Sequence, residues 1–300
     1  MITPTDLYTF PKPPPGKTAW PWEGQAALFP QKMSNGQSWP KLSIVTPSCN
    51  QGQFIEETIR SVLLQGYPNL EYLVIDGGST DNSADIIRKY EPWLKYWVSE
   101  TDAGQADAIE KGFNKASGDI LAWQNSDDFY APGAFERVAY FFAARADLVF
   151  ANGDVNLVAS NSQYVRRIYA MRPSHFFAAN LGQHGWPQQG CFWLRSAYQH
   201  VGGVNPALQF CMDKDLFIRL VAFGPAGRIT GPALANFRQH QQAKSVMLKQ
   251  VARRETAGIV EKYGRKKWTK HPRLLQALWW VFRKQAALRL RLGRYFDWEY

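Results

Sequence analysis

The chain has 300 residues, of which 45% are apolar and 20% are charged, and its formal net charge is +10 at pH 7. This composition predicts a globular protein with a sizeable core, and the basic balance favours an anionic partner such as phosphate, nucleic acid or an acidic membrane. No run of about 18 uncharged apolar residues occurs, which argues against a transmembrane helix.

The cysteines and the N-terminus point to a reducing compartment. Cys49, Cys191 and Cys211 are far apart and show no CxxC spacing, so we expect buried thiols rather than a disulfide framework. The opening stretch MITPTDLYTFPKPPPGK lacks a charged segment followed by an apolar one and is therefore not read as a signal peptide. These features together predict a cytoplasmic protein.

Residues 1–40 differ in character from the rest of the chain. They are rich in proline, glycine and tryptophan, as in the stretches PKPPPG and WPWEG. Such a composition predicts an extended arm, which is either packed on the domain through its tryptophans or partly disordered.

From Lys41 onwards, short apolar runs alternate with segments of helical periodicity. The predicted strands cover 42–46, 70–75, 96–98, 120–123 and 148–150. The predicted helices cover 54–63, 81–87 and 105–116. Strands and helices that alternate at this spacing indicate βαβ units and a mostly parallel sheet. In such sheets ligands bind beyond the carboxyl ends of the strands.

Loops rich in Asp, Asn and Gly follow the predicted strands, at 48–52, 76–83 and 125–128. We therefore expect the functional site at their common edge. Asp76, which precedes two glycines, either accepts hydrogen bonds from a base or ribose or forms an ordinary Asx turn. Asp127 and Asp128 either cap the following helix or supply the hard oxygen ligands that Mg²⁺ and Mn²⁺ prefer.

Beyond residue 150 the alternation weakens, and helical periodicity takes over. The predicted helices are a short one over 213–221, a polar and basic one over roughly 243–263, and an amphipathic tail over 271–300. The tail places Leu and Trp side chains among Lys and Arg, so it either lies on anionic lipid or packs on the domain.

The motifs over 42–137 occur in a characteristic order. They are SIVTPSCNQGQFIEETIRSVLLQGYPNLEYLVIDGGSTDNS and SETDAGQADAIEKGFNKASGDILAWQNSDDFYAPGAF. These motifs resemble the family 2 glycosyltransferases, over roughly 41–240. The resemblance implies the GT-A fold, a Rossmann-like, mostly parallel α/β sheet flanked by helices. The implied units are an arm (1–40), a nucleotide-binding half (41–130), an acceptor half (131–240) and a basic helical tail (241–300).

The resemblance also assigns residues to the nucleotide-sugar site. The first loop supplies contacts to the nucleotide, a helix acid faces it, one carboxylate recognises the base, and later residues lie near the ribose, the sugar and the diphosphate. These residues are Thr46, Pro47, Asn50, Glu57, Asp76, Asp102, Gln105, Asn125, Ser126, Asp128 and Arg238.

Metal and catalytic residues follow from the same comparison. Asn125-Ser126-Asp127 occupies the family's DxD position with Asn in place of the first Asp, so Asp127 is the expected ligand of Mn²⁺ or Mg²⁺, with His240 beside it. Asp213 matches the catalytic base, although Met212 stands where the family has an acid, and Asp215 is the fallback base. We expect His184, Trp186, Gln188 and Gln189 to face the acceptor.

The function implied is an inverting transfer of a sugar, with a UDP-sugar favoured as donor, to a hydroxyl of a cell-surface or lipid-linked glycan. A divalent metal would assist departure of the diphosphate, and the protein would be cytoplasmic or peripheral on the inner face of the membrane. The tail at 271–300 is the expected contact with anionic lipid.

Three other functions stay open at this point. A nucleotidyltransferase is also Rossmann-like, but the first loop, PSCNQGQF, has no basic residue. A nucleic-acid-binding module would suit the net charge, although Lys and Arg concentrate after residue 244, away from the acidic loops, so we expect no nucleic-acid partner. An inactive sugar-nucleotide-binding protein would suit Asn125 and Met212.

Overall fold

Two β-sheets and the helices around them make up the computed structural model, which describes residues 10–23, 29–182 and 185–292. The strands are β1 (Leu42–Ser48), β2 (Leu70–Asp76), β3 (Tyr96–Ser99), β4 (Ile120–Trp123), β5 (Phe129–Tyr130), β6 (Phe150–Gly153), β7 (Val155–Ala159), β8 (Tyr164–Ile168), β9 (Cys191–Leu194), β10 (Ala226–Ile229) and β11 (Ala235–Gln239). The α-helices are α1 (Ile55–Leu63), α2 (Ser83–Lys89), α3 (Gln105–Lys115), α4 (Ala134–Ala144), α5 (His175–Leu181), α6 (Arg195–His200), α7 (Met212–Phe223), α8 (Lys244–Met247), α9 (Lys249–Tyr263), α10 (Lys266–Thr269) and α11 (Pro272–Leu292).

The larger sheet has seven strands in the order β10–β6–β9–β4–β1–β2–β3. Neighbouring strands are parallel except where β9 pairs with β4 and β6, which confirms the predicted mostly parallel sheet. Successive residues of β1 face opposite sides: Ile44 packs with α1 and α2, and Val45 packs with α3 and α7. Strands that are buried on both faces give continuous apolar runs, so the sequence pattern reveals them clearly.

The carboxyl ends of the first four strands share one edge of this sheet. Ser48 at the end of β1 lies beside Asp76 of β2, and Asp76 lies beside Ser99 of β3. Trp123 ends β4, which is parallel to β1, so the loop 124–128 emerges at the same edge. Because β9 is antiparallel to β4, the turn before β9 also reaches this edge. The predicted meeting of the polar loops is therefore confirmed.

The smaller sheet, in the order β5–β11–β7–β8, is not predicted from the sequence. Its strands have two to five residues, too few for a clear alternation of apolar and polar positions. The predicted strand at 148–150 is wrong in its bounds, because β6 runs from Phe150 to Gly153, where it pairs with β9. Pairing between β11 and β5 brings residues 238–240 next to the loop after β4.

Arg60 of α1 fastens the described part of the N-terminal arm. Its buried guanidinium donates hydrogen bonds to the backbone oxygens of Pro11, Pro21 and Trp22, at 2.8–3.2 Å. The Trp22 side chain is buried as well. Residues 10–23 are thus held on the domain by the hydrogen bonds of Arg60 and by the buried Trp22 side chain.

Helix α9 packs on α5 and α7. Ile259 of α9 lies in the same core cluster as α7, and Glu255 accepts the backbone N–H groups of 209–211, just before α7 begins. A carboxylate at a helix N-terminus satisfies donors that have no partner within the helix. The predicted long helix over 243–263 is interrupted at Leu248, between α8 and α9.

One side of α11 is docked and another is exposed. Leu275 and Trp279 are buried, and the Trp279 ring lies 5.2 Å from that of Phe177 in α5. The exposed apolar side chains are Leu274, Leu278, Trp280 and Val281. Within the described ranges, no helix has the length and hydropathy needed to cross a membrane. The last predicted tail residues, 293–300, lie outside the described residues.

Candidate functional site

The loop after β4 turns its two adjacent carboxylates in opposite directions. Asp128 is 1% exposed; its Oδ1 accepts the N–H of Arg238 at 2.8 Å, and its Oδ2 accepts a hydrogen bond from the Gln189 amide at 2.8 Å. Burial raises the pKa of Asp128, and the charge of Asp127 raises it further. Asp128 is therefore an interior group that holds the loop, which corrects the prediction that it lies at the donor sugar.

Asp127 points to the open side of the loop. Its Oδ2 lies 3.0 Å from Nε2 of His240, and its side chain is 21% exposed. The His240 ring packs against Phe54, with ring centroids 4.8 Å apart, so the imidazole is oriented by a neighbour as well as by β11. The two predicted metal ligands thus lie together.

These residues suit a divalent cation that also binds the substrate. In the described part of the chain, no group of three or more His, Cys, Asp or Glu side chains could hold a metal by itself. Mg²⁺ and similar cations at nucleotide sites often take one or two protein ligands and complete their shell with phosphate oxygens and water. Asp127 and His240 form such a partial set. The Oδ1 of Asn125 is already bonded to the Gln105 amide at 2.8 Å.

Arg238 lies behind the loop. It is 1% exposed, and its guanidinium donates to the backbone oxygens of Asp127 and Ser160 and to the carboxylate of Glu57, at 2.7–2.9 Å. Glu57 is also buried and accepts a hydrogen bond from the Ser162 hydroxyl. Because these groups bond to one another in the interior, the predicted direct contacts of Glu57 and Arg238 with the nucleotide sugar are corrected to a supporting role.

Asn50 joins the loops that follow β1 and β2. Its φ of 53° lies in the left-handed region, which Asn tolerates better than most residues. Its Oδ1 accepts the N–H of Thr80 at 2.8 Å, and its own N–H donates to the Ser79 hydroxyl at 2.7 Å. Asn50 is exposed at the edge, in the position predicted for a nucleotide contact.

Thr46, Pro47 and Ser126 are buried, so they support the loops from within. The Thr46 hydroxyl lies 3.0 Å from that of Tyr72 on the neighbouring strand. The backbone oxygen of Ser126 accepts a hydrogen bond from the Thr58 hydroxyl at 2.9 Å. The predicted contact of the Thr46 side chain with the nucleotide is corrected to a contact within the core, and the buried Pro47 and Ser126 side chains do not lie on the open surface of the edge.

Of the two roles predicted for Asp76, a contact to the nucleotide or a turn, the structure shows the turn. It is 0% exposed; its Oδ1 accepts a hydrogen bond from the Ser79 hydroxyl, and its Oδ2 accepts from the Ser79 N–H and the Ser99 hydroxyl, at 2.6–2.9 Å. Both oxygens are thus satisfied inside the protein. The prediction that Asp76 recognises the base is corrected for this reason.

Asp102 is the carboxylate that stands over the end of β2. A Cβ atom at Gly77 would lie 2.6 Å from its Oδ2, so the glycine makes room for the carboxylate. Its Oδ1 accepts the N–H of Gly104 at 2.8 Å, and the side chain is partly exposed. Asp102 therefore presents a carboxylate at the edge where Asp76 does not.

The residues predicted to face the acceptor are interior ones. Gln188 and Gln189 donate from their amides to the end of β4 and to the loop after it, at 2.7 and 2.8 Å. Trp186 is buried against Phe150, with ring centroids 5.8 Å apart. These three side chains support the site, because their polar groups and surfaces are engaged within the protein. His184 lies outside the described residues.

The two acids at the start of α7 have different surroundings. Asp215 is 2% exposed and accepts hydrogen bonds from the Arg219 guanidinium at 2.6 Å and the Tyr263 hydroxyl at 2.8 Å. This buried ion pair removes Asp215 as the fallback base. Asp213 is partly exposed, its Oδ1 accepts the N–H of Lys214 at 2.7 Å, and burial raises its pKa.

Asp213 is near enough to Cys191 for its charge to act on that thiol. Burial raises the pKa of the Cys191 thiol, and the charge of Asp213 adds to that effect. Cys191 is the first residue of β9 and follows the turn Gln188–Gly190. A carboxylate with a raised pKa accepts a proton more readily than an ordinary Asp, as general-base chemistry requires.

Lys244 is a site residue that the sequence reasoning missed. Its Nζ donates to Oε1 of Gln105 at 2.9 Å, so the ammonium group reaches the acidic edge. The only sequence signal is its position, four residues after His240.

The sequence of this chain matches the model of a known protein family. The model described as "Glycosyl transferase family 2" matches residues 43–202, more than half of the chain. The chain belongs to glycosyltransferase family 2. The resemblance drawn from the motifs is therefore confirmed, and the chain is an enzyme of the glycosyltransferase class.

Curated relatives carry the same activity in their names. An uncharacterized glycosyltransferase of Nostoc sp. is 26% identical over 73% of this chain and 72% of its own length. An uncharacterized glycosyltransferase of Mycobacterium tuberculosis is 28% identical over 61% of this chain and 69% of its own length. TuaG of Bacillus subtilis, a putative teichuronic acid biosynthesis glycosyltransferase, is 34% identical over 36% of this chain and 44% of its own length.

Solved structures share the fold. S. aureus TarS 1-349 in complex with UDP-GlcNAc has a TM-score of 0.57 and 15% identity, over 78% of this chain and 70% of its own. The mannosyltransferase PcManGT from Pyrobaculum calidifontis, in complex with GDP-Man and Mn²⁺, has a TM-score of 0.51 and 15% identity, over 87% of this chain and 88% of its own. At this identity the likeness establishes the α/β glycosyltransferase fold.

The different surroundings of the two acids in α7 predict opposite effects on stability. Asp213→Asn should raise the unfolding temperature at pH 7, because burial disfavours the charged carboxylate in the folded state. That gain should vanish at pH 3, below the unfolded pKa, where both states carry a protonated Asp213. Asp215→Asn should lower the free energy of unfolding by about 3 kcal/mol, because it breaks a buried ion pair.

Thermal unfolding followed by circular dichroism at pH 7 and pH 3 measures both effects. A drop in unfolding temperature for Asp213→Asn at pH 7 would show that its carboxylate is a stabilising structural group.

Proposed function

We propose that this protein is an inverting glycosyltransferase that moves a sugar from a nucleoside-diphosphate sugar to a hydroxyl of a cell-envelope or lipid-linked glycan. The observation that carries the proposal is the Asp127–His240 pair at the carboxyl edge, in which Nε2 of His240 lies 3.0 Å from Oδ2 of Asp127 and the Asp127 side chain is 21% exposed. A UDP-sugar is the favoured donor, since TarS, which shares the fold, has been solved in complex with UDP-GlcNAc. A GDP-sugar is the alternative, since PcManGT, which shares the fold, has been solved in complex with GDP-Man.

The donor binds along the carboxyl edge of β1 to β4. Asp102 takes the role of the nucleotide-recognising carboxylate, because its Oδ2 lies directly over Gly77 at the edge. Asp76 is fully buried and cannot take that role. Carboxylate oxygens accept hydrogen bonds from the N–H of a base or from ribose hydroxyls. Asn50 and Gln105, both at the open edge, line the same path.

Asp127 and His240 would hold a Mn²⁺ or Mg²⁺ ion together with the donor's diphosphate. When bound, such an ion supplies positive charge that stabilises the departing diphosphate. The interior groups keep the two ligands in place: Asp128 anchors the loop, and Arg238 bonds to the backbone oxygen of Asp127. PcManGT, which shares the fold, has been solved in complex with Mn²⁺.

Asp213 acts as the general base. It takes the proton from the acceptor hydroxyl while the hydroxyl oxygen bonds to the anomeric carbon, and the bond from that carbon to the diphosphate oxygen breaks. The pair of electrons in that bond leaves with the nucleoside diphosphate. Attack from the face opposite the leaving group inverts the anomeric centre and needs no covalent enzyme intermediate. The raised pKa of Asp213 suits this role.

An acidic or lipid-linked envelope glycan is the proposed acceptor. The relative TuaG is named for teichuronic acid biosynthesis, and the basic net charge of this chain favours an anionic partner. On the same grounds we place the protein at the cytoplasmic face of a membrane. The exposed side of α11, with Leu274, Leu278 and Val281, would enter the lipid interface beside Arg273 and Lys284.

The catalytic proposal predicts metal-dependent cleavage of a nucleotide sugar. With Mn²⁺ present, the protein should release UDP or GDP from one member of a panel containing UDP-GlcNAc, UDP-glucose, UDP-galactose and GDP-mannose, and EDTA should abolish the release. Asp127→Ala and His240→Ala should each raise the Mn²⁺ concentration for half-maximal rate at least tenfold. Asp213→Asn should lower the rate of transfer by about 10²–10⁴-fold.

Chromatography of the released nucleotide measures these rates, and the exposed Asp85→Asn serves as the matched carboxylate control. Unchanged rates in both Asp127→Ala and Asp213→Asn would contradict the assignment of the site.

The membrane proposal predicts binding to anionic vesicles. Vesicles with phosphatidylglycerol should carry the protein in flotation, and binding should weaken at high salt because it depends on charge. Leu278→Glu combined with Val281→Glu should reduce binding at least tenfold. Val165→Glu, which changes an exposed apolar residue on β8, should leave binding unchanged. Equal binding of all variants would remove α11 from the membrane contact.

A further inference from the structure

Lys244, the first residue of α8, carries an ammonium group to the carboxyl edge of the large sheet. Its Nζ donates to Oε1 of Gln105 at 2.9 Å. The amide nitrogen of Gln105 in turn donates to Oδ1 of Asn125 at 2.8 Å. This chain of hydrogen bonds links α8 to the start of α3 and to the loop that carries Asp127. Lys244 therefore reaches the proposed metal site from a segment that lies after β11.

The charges around Lys244 are acidic, but none of them forms a close pair with it. Burial lowers the pKa of the ammonium group, while the charges of Asp102, Asp127 and Cys49 raise it. Within the described residues, the ion pairs closer than 4.0 Å do not include Lys244. Its hydrogen-bond partner, Gln105, is a neutral amide that a stronger, anionic acceptor can replace.

Other cationic side chains near this edge have partners in the interior. Arg238 bonds to backbone oxygens and to Glu57 behind the loop. Lys214, next to Asp213, donates to the Thr256 hydroxyl at 2.7 Å. Arg238 cannot reach a ligand without leaving the buried Glu57 unsatisfied, which is costly, and Lys214 is held by a partly buried hydroxyl.

We propose that Lys244 binds the diphosphate of the donor, exchanging its hydrogen bond to Gln105 for one to a phosphate oxygen. This inference rests on the proposed function and adds a residue to it. The ammonium group stays protonated and forms no covalent bond. It stabilises the negative charge that builds on the nucleoside diphosphate as the bond to the anomeric carbon breaks. The exchange frees Oε1 of Gln105 to accept a hydrogen bond from a ribose or sugar hydroxyl.

Binding measurements on Lys244→Gln test this role. The wild type is titrated by calorimetry with UDP and with GDP in the presence of Mn²⁺, and the tighter binder is used for all variants. Binding of the matching nucleoside, uridine or guanosine, is measured by saturation-transfer NMR. Lys244→Gln should weaken binding of the diphosphate at least tenfold and change binding of the nucleoside less than twofold. Its salt dependence should also be shallower, because one cation is lost.

Two variants separate charge from structure. Lys244→Arg keeps the charge and should retain diphosphate affinity within about threefold of the wild type. Lys249→Gln removes an exposed lysine five residues further on and should have no effect. Circular dichroism confirms that each variant is folded.

The possible outcomes are distinct. Equal affinity of Lys244→Gln and the wild type for the diphosphate would overturn the proposal, and so would an equal loss for diphosphate and nucleoside, which would make Lys244 a support for Gln105 alone. If the wild type binds neither UDP nor GDP, the proposed function itself fails, and the role of Lys244 fails with it.

Discussion

The carboxylate of Asp128 lies in the interior at the end of β4, where its hydrogen bonds come from the backbone N–H of Arg238 and the side-chain amides of Gln189 and Asn125. A buried carboxylate is costly unless such donors are in place. This requirement ties together the loop after β4, strand β11 and the turn before β9, which are far apart in the sequence. It also sets the direction of the preceding residue, Asp127, towards the open edge.

Two other pairs of neighbouring acids in the site also consist of one buried carboxylate and one partly exposed carboxylate. Asp215 is held by Arg219 in a buried ion pair, whereas Asp213 on the same turn of α7 is partly exposed. Asp76 accepts its hydrogen bonds within the turn after β2, whereas the Asp102 carboxylate lies over the neighbouring Gly77. In each case one carboxylate builds the scaffold and its neighbour is available to a ligand.

The sheet and its edge can be predicted from the sequence because the first four strands are buried on both faces and the intervening helices are regular. The polar loops at 48–52, 76–83 and 125–128 then fall at one edge by topology alone. The second sheet cannot be predicted in this way, because strands as short as β5, with two residues, carry no usable alternation. Because β11 is not predicted, the sequence does not show that Arg238 and His240 lie next to the loop after β4.

The roles of individual side chains were harder to predict, since a shift of one residue decides whether a side chain faces the core or the ligand. The motif identifies Asp127 and Asp128 together, and only the contacts of Arg238 and Gln189 show which one is buried. Trp186 and Gln188 were predicted to face the acceptor, but packing against residues far away in the sequence buries them. Lys244 falls within the predicted helix over 243–263, but a helical pattern does not show which distant loop a side chain near its start will reach.

The central claim is that a buried Asp128 leaves Asp127 and His240 as the metal ligands of a nucleotide-sugar site. A crystal structure with UDP and Mn²⁺, from diffraction data collected at the manganese absorption edge, tests it most directly. The claim predicts an anomalous peak bonded to Asp127 Oδ and His240 Nε2 and to diphosphate oxygens, with Asp128 still bonded to the Arg238 N–H. Manganese bound to Asp128, or bound UDP with no manganese beside Asp127, would contradict it.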